Sequence, residues 1–149
     1  MAEPLRVVVR FADGKVLKGT TQDFLPNRPS FHLIKADGGP LQEIPCKALK
    51  AVFFVRTLKG DPLRASHKGF LAAPVATALG KKIAVRFKDG EVLCGYTLAY
   101  QPGRDGFFVT PADTQGNNLR VYVVSAAAVE VKIGPAADLV VQSLRKQPR

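Results

Sequence analysis

The chain has 149 residues, of which 46% are hydrophobic and 23% are charged. These values are ordinary for a folded protein and exclude wholesale disorder. No apolar run approaches the roughly 20 residues that a membrane-spanning helix needs, so we expect no membrane insertion. The net charge is +10, which favours contact with a polyanion such as nucleic acid or an anionic membrane surface.

One stretch of the sequence occurs twice. Residues 6–37 align without a gap on residues 82–113, and 14 positions in this window are identical. The identical residues include Val-Arg-Phe, Asp-Gly and Val-Leu, followed by a glycine. An internal repeat of this kind predicts two similar structural units. We therefore divide the chain into a first repeat (5–57), a basic connector (58–80), a second repeat (81–134) and a C-terminal helix and tail (135–149).

Each repeat has the pattern of several short strands separated by turns. Residues 6–11 alternate apolar and polar side chains, the period of a strand with one buried face. Asp13-Gly14 suits a tight hairpin turn, and Gly19 in the returning strand indicates a bulge or a bend. The predicted strands are 6–11, 15–23, 31–34, 41–44 and 51–56 in the first repeat, and 83–87, 106–110, 119–124 and 129–133 in the second, whose returning strand carries Gly95.

The two segments outside the repeats have different patterns. The connector contains prolines and glycines, and we expect it to be ordered but irregular, with a short helical turn that includes 76–79. Residues 136–146 combine helix-forming residues with a loosely amphipathic pattern and two cations near the end. They predict a short C-terminal helix.

The repeated stretch resembles the first motif of Sm-like proteins. That motif has alternating apolar residues, Asp-Gly, an apolar pair, a glycine and a hydrophobic third strand, and here it reads VVVRFADGKVLKGTTQDF and IAVRFKDGEVLCGYTLAY. The segment KAVFFVR is similar to the fifth strand of an uncharacterised family of bacterial Sm-like small-barrel domains. The resemblance implies an all-β protein in which two five-stranded Sm-like or SH3-like barrels stand in tandem.

The sequence departs from the Sm pattern in two places. The Ile-Arg-Gly-like loop of the second Sm motif, which helps to bind RNA bases, is reproduced neither at 45–47 nor at 124–126. The Asp and Asn that precede the third Sm strand correspond at best to Asp23 and Asn27, and the second copy has Ala99 and Gly103 there. Both departures concern residues of the usual RNA-binding pocket.

The sequence contains few residues that could form a catalytic site. His32 and His67 are the two histidines, and no HxH, HExxH or CxxC spacing indicates a metal site. Asp13 and Asp89 fit turn positions better than they fit a carboxylate pair. We predict a non-catalytic protein without a metal or another cofactor, with His32 pointing outward from its strand.

The cysteines and the N-terminus bear on location. Cys46 and Cys94 stand at non-equivalent positions of the repeat, and we interpret them as reduced, partly buried thiols. The N-terminal sequence does not resemble a secretory signal. A cytoplasmic location is therefore expected.

The excess of positive charge lies on the first repeat and the connector. Residues 6–55 carry eight basic and four acidic side chains, residues 56–82 carry six and one, and residues 83–133 carry five of each. Side chains two apart on a strand share a face, so we expect one hairpin to carry four cations on its outer face, namely Arg6, Arg10, Lys15 and Lys18. The predicted nucleic-acid-binding residues are Arg6, Arg10, Lys15, Lys18, Arg28, Arg56, Lys59, Arg64, Lys68, Lys81 and Lys82.

Base stacking would require exposed aromatic rings next to these cations. We expect most phenylalanines to lie in the core, namely Phe11, Phe31, Phe53, Phe87 and Phe107. The rings predicted to be exposed are Tyr96, Tyr100, Tyr122 and Phe108.

Two functions follow from these observations. The first is a binding module that contacts nucleic acid, RNA before DNA, through the basic face of the first repeat and the connector. The alternative is a bacterial protein–protein adaptor or assembly component, for which the charge is only a solvated surface. The run Ala51–Val55 is apolar on both faces, which implies a repeat–repeat contact, a homo-oligomer or a protein partner.

Overall fold

The computed structural model describes residues 5–26, 28–58, 80–98, 100–112 and 118–146, without the side chains of 144–146. In these residues ten strands form one antiparallel sheet, and an α-helix follows the last strand. The elements are β1 (Leu5–Phe11), β2 (Val16–Thr21), β3 (Ser30–Lys35), β4 (Gln42–Pro45), β5 (Leu49–Val55), β6 (Lys81–Phe87), β7 (Val92–Thr97), β8 (Gly106–Pro111), β9 (Asn118–Val124), β10 (Ala128–Ile133) and α1 (Pro135–Lys146).

The predictions of all-β structure, of the individual strands and of the C-terminal helix are confirmed. Short 3₁₀ turns at Cys46–Ala48 and Ser125–Ala127 precede the fifth strand of each repeat. Residues 59–79 lie outside the described part of the chain, and these include nearly all of the predicted irregular connector and its helical turn. Among the described residues, no helix has the length and the apolarity needed to cross a membrane.

The Asp-Gly pairs form the predicted turns. Gly14 and Gly90 have φ values of 98° and 92°, which glycine adopts without steric cost. The backbone N–H of Lys15 donates to Asp13 Oδ1 at 2.9 Å, and Glu91 N–H donates to Asp89 Oδ1 at 3.0 Å. Both hairpins are therefore closed by the same local hydrogen bond.

The glycine in the second strand of each repeat allows the third strand to approach closely. A Cβ atom on Gly19 would stand 2.1 Å from the carbonyl oxygen of Ile34. The equivalent Gly95 would meet the carbonyl oxygen of Thr110 at 2.3 Å. Since neither position has room for a side chain, both copies retain glycine.

The sheet has the strand order β10-β6-β7-β8-β9-β5-β1-β2-β3-β4. Each repeat contributes five strands in the same order, with its fifth strand beside its first and its fourth at the other end. The two sets join where β9, the fourth strand of the second repeat, pairs with β5, the fifth strand of the first. We call this pairing the junction.

Strand β5 is buried on two faces along its whole length, and β9 is buried on two faces at residues 121–124. Val52 and Phe54 of β5 belong to the core of the first repeat, whereas Ala51, Phe53 and Val55 belong to the core of the second. The side chains of β9 divide in the same way. The double-sided apolar character of Ala51–Val55 is thus explained by the repeat–repeat contact, one of the three predicted alternatives.

Helix α1 lies against the second repeat and contacts β6 and β10. Ala137 and Val141 are its buried side chains among those described. Asp138 in its first turn pairs with Lys82 Nζ at 3.0 Å. The helix therefore covers the outer face of β6.

Candidate nucleic-acid interface

Three of the predicted cations lie together on the outer face of the β1–β2 hairpin. Arg6 and Arg10 alternate with buried valines along β1, so both point away from the core. Lys18 on β2 stands opposite Val8 in the register, which places it on the same outer face. All three side chains are exposed. We refer to Arg6, Arg10 and Lys18 as the basic face.

The cations of the basic face have neutral neighbours. Arg6 Nη1 donates to the carbonyl oxygen of Arg56 at 3.1 Å. The guanidinium carbon of Arg10 lies 5.3 Å from the centre of the Phe53 ring. Within the described ranges, no carboxylate lies within 4.0 Å of a charged nitrogen of these three residues. Among the described residues, no ion pair therefore neutralises their charge.

The same face of the second repeat has a different character. Its equivalents of Arg6 and Arg10 are Lys82 and Arg86, and its equivalent of Lys18 is a cysteine. Lys82 pairs with Asp138 of α1, and Arg86 Nε lies 3.8 Å from Glu130 Oε1. In the second repeat, helix α1 and these acidic side chains therefore neutralise and partly cover the equivalent face.

The remaining predicted cations are not part of this face. Lys15 lies in the hairpin turn with its Nζ 5.6 Å from the centre of the Phe11 ring, and Phe11 packs on the core side. Arg28 is exposed in the β2–β3 connection, and Arg56 is exposed just after β5. Lys81 and Lys82 lie on β6 in the second repeat. Lys59, Arg64 and Lys68 fall outside the described residues.

The prediction of exposed stacking rings is wrong for two tyrosines. Tyr96 is 0% exposed and Tyr122 is 4% exposed. Tyr96 stands opposite Lys82 on the side that α1 covers, and Tyr122 is buried in the junction. Tyr100 and Phe108 are half-buried. Among the described residues, the basic face therefore has no exposed ring beside its cations.

Four of the five predicted core phenylalanines are buried, and Phe11 is half-buried. Phe24 was not predicted to be a core residue, but it lies at the centre of an aromatic cluster in the junction. Its ring centre lies 5.1 Å from that of Phe31 and 5.2 Å from that of Tyr122. Phe24 thus connects the core of the first repeat with a strand of the second.

The role of Lys50 was also not predicted from the sequence. Its side chain is 8% exposed, and its ammonium lies 2.8 Å from Asp89 Oδ2 and 2.6 Å from Glu91 Oε1. The hydrogen bond from Lys50 contributes most to holding the pKa of Asp89 below its ordinary value. This cation therefore binds the two repeats to each other and is not available to a ligand. A comparison of the two repeats gave one indication of this ion pair, because the turn position of Lys15 in the first repeat is occupied by the acidic Glu91 in the second.

His32 points outward from β3, as predicted, and its Nδ1 lies 2.6 Å from Asp23 Oδ2. The backbone N–H of His32 also donates to Asp23 Oδ1 at 2.9 Å. Burial alone would raise the pKa of Asp23, but the hydrogen bonds from His32 and Thr21 outweigh it and lower that pKa. Asp23 therefore fixes the β2–β3 connection to β3, which gives this pair a structural role.

Cys46 and Cys94 are half-buried and form no disulfide. In the portion of the chain that the structure describes, no three His, Cys, Asp or Glu side chains are grouped so that they could hold a metal ion.

Comparison with known proteins gives one result. No curated protein and no solved structure matches this sequence. The model of one protein family, whose function is unknown, matches residues 3–134, which include both repeats and the connector. Because this match covers most of the sequence, the chain belongs to DUF6982, a family of unknown function.

Proposed function

We propose that this protein is a non-catalytic module that binds nucleic acid, RNA before DNA, through the basic face, with Arg56 and the connector cations extending the contact. One observation carries the proposal: Arg6, Arg10 and Lys18 are exposed on one face with no carboxylate partner among the described residues. Their equivalents in the second repeat are ion-paired or replaced. The repeats would thus divide the work, the first contacting the anion and the second supporting it.

The chemistry of this face suits phosphate recognition. Arginine and lysine side chains that neutralise phosphates release counterions, and this gives an affinity that falls steeply with salt. The absence of an exposed ring on the described part of the face favours contacts to the backbone over reading of bases. We therefore expect weak sequence preference and strong salt dependence.

We also propose that each repeat is a small Sm-like or SH3-like barrel, with the divisions 5–57, 58–80, 81–134 and 135–149, in a cytoplasmic protein. The identical strand order of the two repeats and a separate core cluster for each support this proposal. An experimental structure tests it, since strands that do not curl around each core would contradict it.

The function is tested by charge reversal at the basic face. We would measure fluorescence anisotropy of labelled 20-nucleotide RNA and DNA with the wild type and with Arg6→Glu/Arg10→Glu/Lys18→Glu. The control reverses three exposed cations of the second repeat, Lys88→Glu/Arg104→Glu/Lys132→Glu, and changes the net charge by the same amount.

We expect the variant of the basic face to lose at least ~10-fold in affinity and the control to lose less than ~3-fold. A single-stranded site with three phosphate contacts should give a slope of log K against log salt near −2. Equal losses in the two variants, or no binding by the wild type at about 50 mM salt, would contradict the proposal.

The adaptor function remains the second candidate because β4 and β10 end the sheet with a strand on only one side among the described residues. Unpaired strand edges are sites where partner strands add. Complex formation that persists after nuclease treatment and in high salt would favour this function.

A further inference from the structure

At the junction, Tyr122 of the second repeat fills a pocket of the first repeat. Tyr122 on β9 stands opposite Val52 on β5 and inserts its ring into the first repeat. The ring packs edge-on against Phe24, and the hydroxyl group donates to the carbonyl oxygen of Pro26 at 3.3 Å. Burial, with a further contribution from nearby Cys46, raises the pKa of Tyr122. One tyrosine from an adjacent strand thus fills this pocket.

The second repeat has the same pocket, and its position can be located by register. Val9 pairs with Val52 in the first repeat, and the equivalent Val85 pairs with Val131 in the second. Both fifth strands also carry an irregularity at the same position of the pairing. The residues equivalent to Phe24, Pro26, Cys46 and Val52 are therefore Tyr100, Pro102, Ser125 and Val131.

All four of these residues line a groove of about 250 Å³. Phe107, the equivalent of Phe31, lies in its wall, and its ring centre is 4.8 Å from that of Tyr100. We refer to this space as the β10 groove. A cavity of roughly 150 Å³ already accommodates benzene, so the β10 groove has room for an aromatic side chain.

The groove lies along an unpaired strand edge. β10 pairs with β6 on one side, and among the described residues no strand pairs with it on the other. In the first repeat, the corresponding edge of β5 is where β9 adds antiparallel and delivers Tyr122. We propose that the β10 edge accepts an extended segment of a partner protein, which adds as an antiparallel strand and places a tyrosine in the β10 groove.

A second copy of this chain is a poor occupant. Its unpaired fourth strand, β4, has Glu43 where β9 has Tyr122, and Pro45 where β9 has Val124. The backbone N–H of Cys46 donates to the carbonyl oxygen of Pro29, on the side of β3. Because the N–H directions of successive strand residues alternate, the backbone nitrogen of Pro45 points toward the free edge. Pro45 has no N–H to donate there. Head-to-tail growth through β4 is therefore opposed by both charge and a missing donor.

The outer face of β10 further defines the partner. Where β5 presents Ala51 and Phe53 to the junction, β10 presents Glu130 and Lys132. A fitting segment is thus amphipathic, with tyrosine and an aliphatic residue two positions apart on one face and polar residues on the other. Main-chain hydrogen bonds would supply affinity and the groove would supply specificity, as in other cases of strand addition.

The first test uses the full-length protein and a labelled synthetic peptide based on residues 118–124 of this chain, the segment that fills the equivalent pocket. The peptide carries Val121→Glu and Val123→Lys, so that the face opposite its tyrosine is polar and complements Lys132 and Glu130. We expect saturable binding that weakens at least ~10-fold when the peptide tyrosine is replaced by alanine. Val129→Asp, a change of a 58% exposed residue in the groove wall, should weaken binding similarly. Val16→Asp, a change of a 43% exposed valine on β2, should leave it unchanged.

Absence of saturable binding overturns the proposal, and so does binding that is indifferent to the peptide tyrosine or to Val129→Asp. A second variant tests the same geometry from the other side. Glu43→Tyr/Pro45→Val gives β4 the residues of β9 and should create concentration-dependent head-to-tail association in light scattering. Glu43→Lys/Pro45→Val restores the N–H without the ring and should associate much less, and equal association of the two variants would contradict the role of the tyrosine.

Discussion

Lys50 Nζ and Glu91 Oε1 lie 2.6 Å apart, so a buried lysine of the first repeat is held by a turn of the second. Asp89 on the same turn accepts a second hydrogen bond from this ammonium, and the Phe87 ring centre lies 4.7 Å from it. The equivalent of Lys50 is Val129, which is exposed on β10. This ion cluster is therefore specific to the junction.

We predict that removing the carboxylates of Asp89 and Glu91 lowers the free energy of unfolding more than removing the ammonium of Lys50. Asp89→Asn/Glu91→Gln leaves a buried ammonium without compensation and should lower the free energy of unfolding by about 2 kcal/mol, the carboxylates being partly solvated. Lys50→Met keeps the apolar stem without the charge and should cost less than about 1 kcal/mol. Chemical denaturation measures both. The reverse ranking would contradict this description of the cluster.

Acid should weaken the protein through Asp23 and Asp89. Both pKa values lie below the ordinary 3.8 in the folded state. The stability that they contribute is therefore present above pH 3.8 and is lost as the pH falls through the lowered values. Asp23→Asn/Asp89→Asn should show a smaller loss of stability between about pH 4.5 and pH 2 than the wild type, in denaturation midpoints measured across that range.

Asp37→Asn serves as the control for acid sensitivity because Asp37 is exposed and makes no ion pair among the described residues. Its profile should follow the wild type. If the double variant also followed the wild type, these two carboxylates would not control the acid response.

Phe24→Ala should destabilise the protein far more than Tyr100→Ala, although the two positions are equivalent in the repeat. Phe24 packs against rings from both repeats, while Tyr100 packs on Phe107 beside the β10 groove. We expect a loss of about 3 kcal/mol for Phe24→Ala and about 1 kcal/mol for Tyr100→Ala, measured by denaturant unfolding. Similar losses would mean that the aromatic cluster adds nothing beyond its own repeat.

Gly19→Ala and Gly95→Ala should each cost about 2–3 kcal/mol, because the new methyl group meets a carbonyl oxygen of the neighbouring strand. The matched comparison is Gly14→Asn, at a turn with φ 98° and no atom within 4 Å of an added Cβ. Asparagine tolerates this region, so its cost should stay below about 1 kcal/mol. Thermal unfolding of the three variants tests the ranking, and a fully stable Gly19→Ala variant would rule out the close approach.

Much of the fold could be read from local sequence. The alternation in Arg6–Phe11 and the Asp-Gly turns require only pleat geometry and the conformational freedom of glycine, so the strands were predicted within a few residues. The shared outer face of Arg6, Arg10 and Lys18 followed from the same two-residue period, whereas Lys15, which was predicted for that face, lies in the hairpin turn beside Phe11. The repeat by itself determined that two units of the same strand order exist.

Only the tertiary structure decided how those units join and which charges remain open. The pairing of β5 with β9 links residues about 70 positions apart, and no local pattern encodes that register. It buried Tyr122, which looked exposed, and it gave Lys50 partners in the other repeat. The position of α1 covered the cations of the second repeat and left those of the first in solvent. Local propensity acts within a few residues, whereas burial and ion pairing depend on which distant surfaces meet.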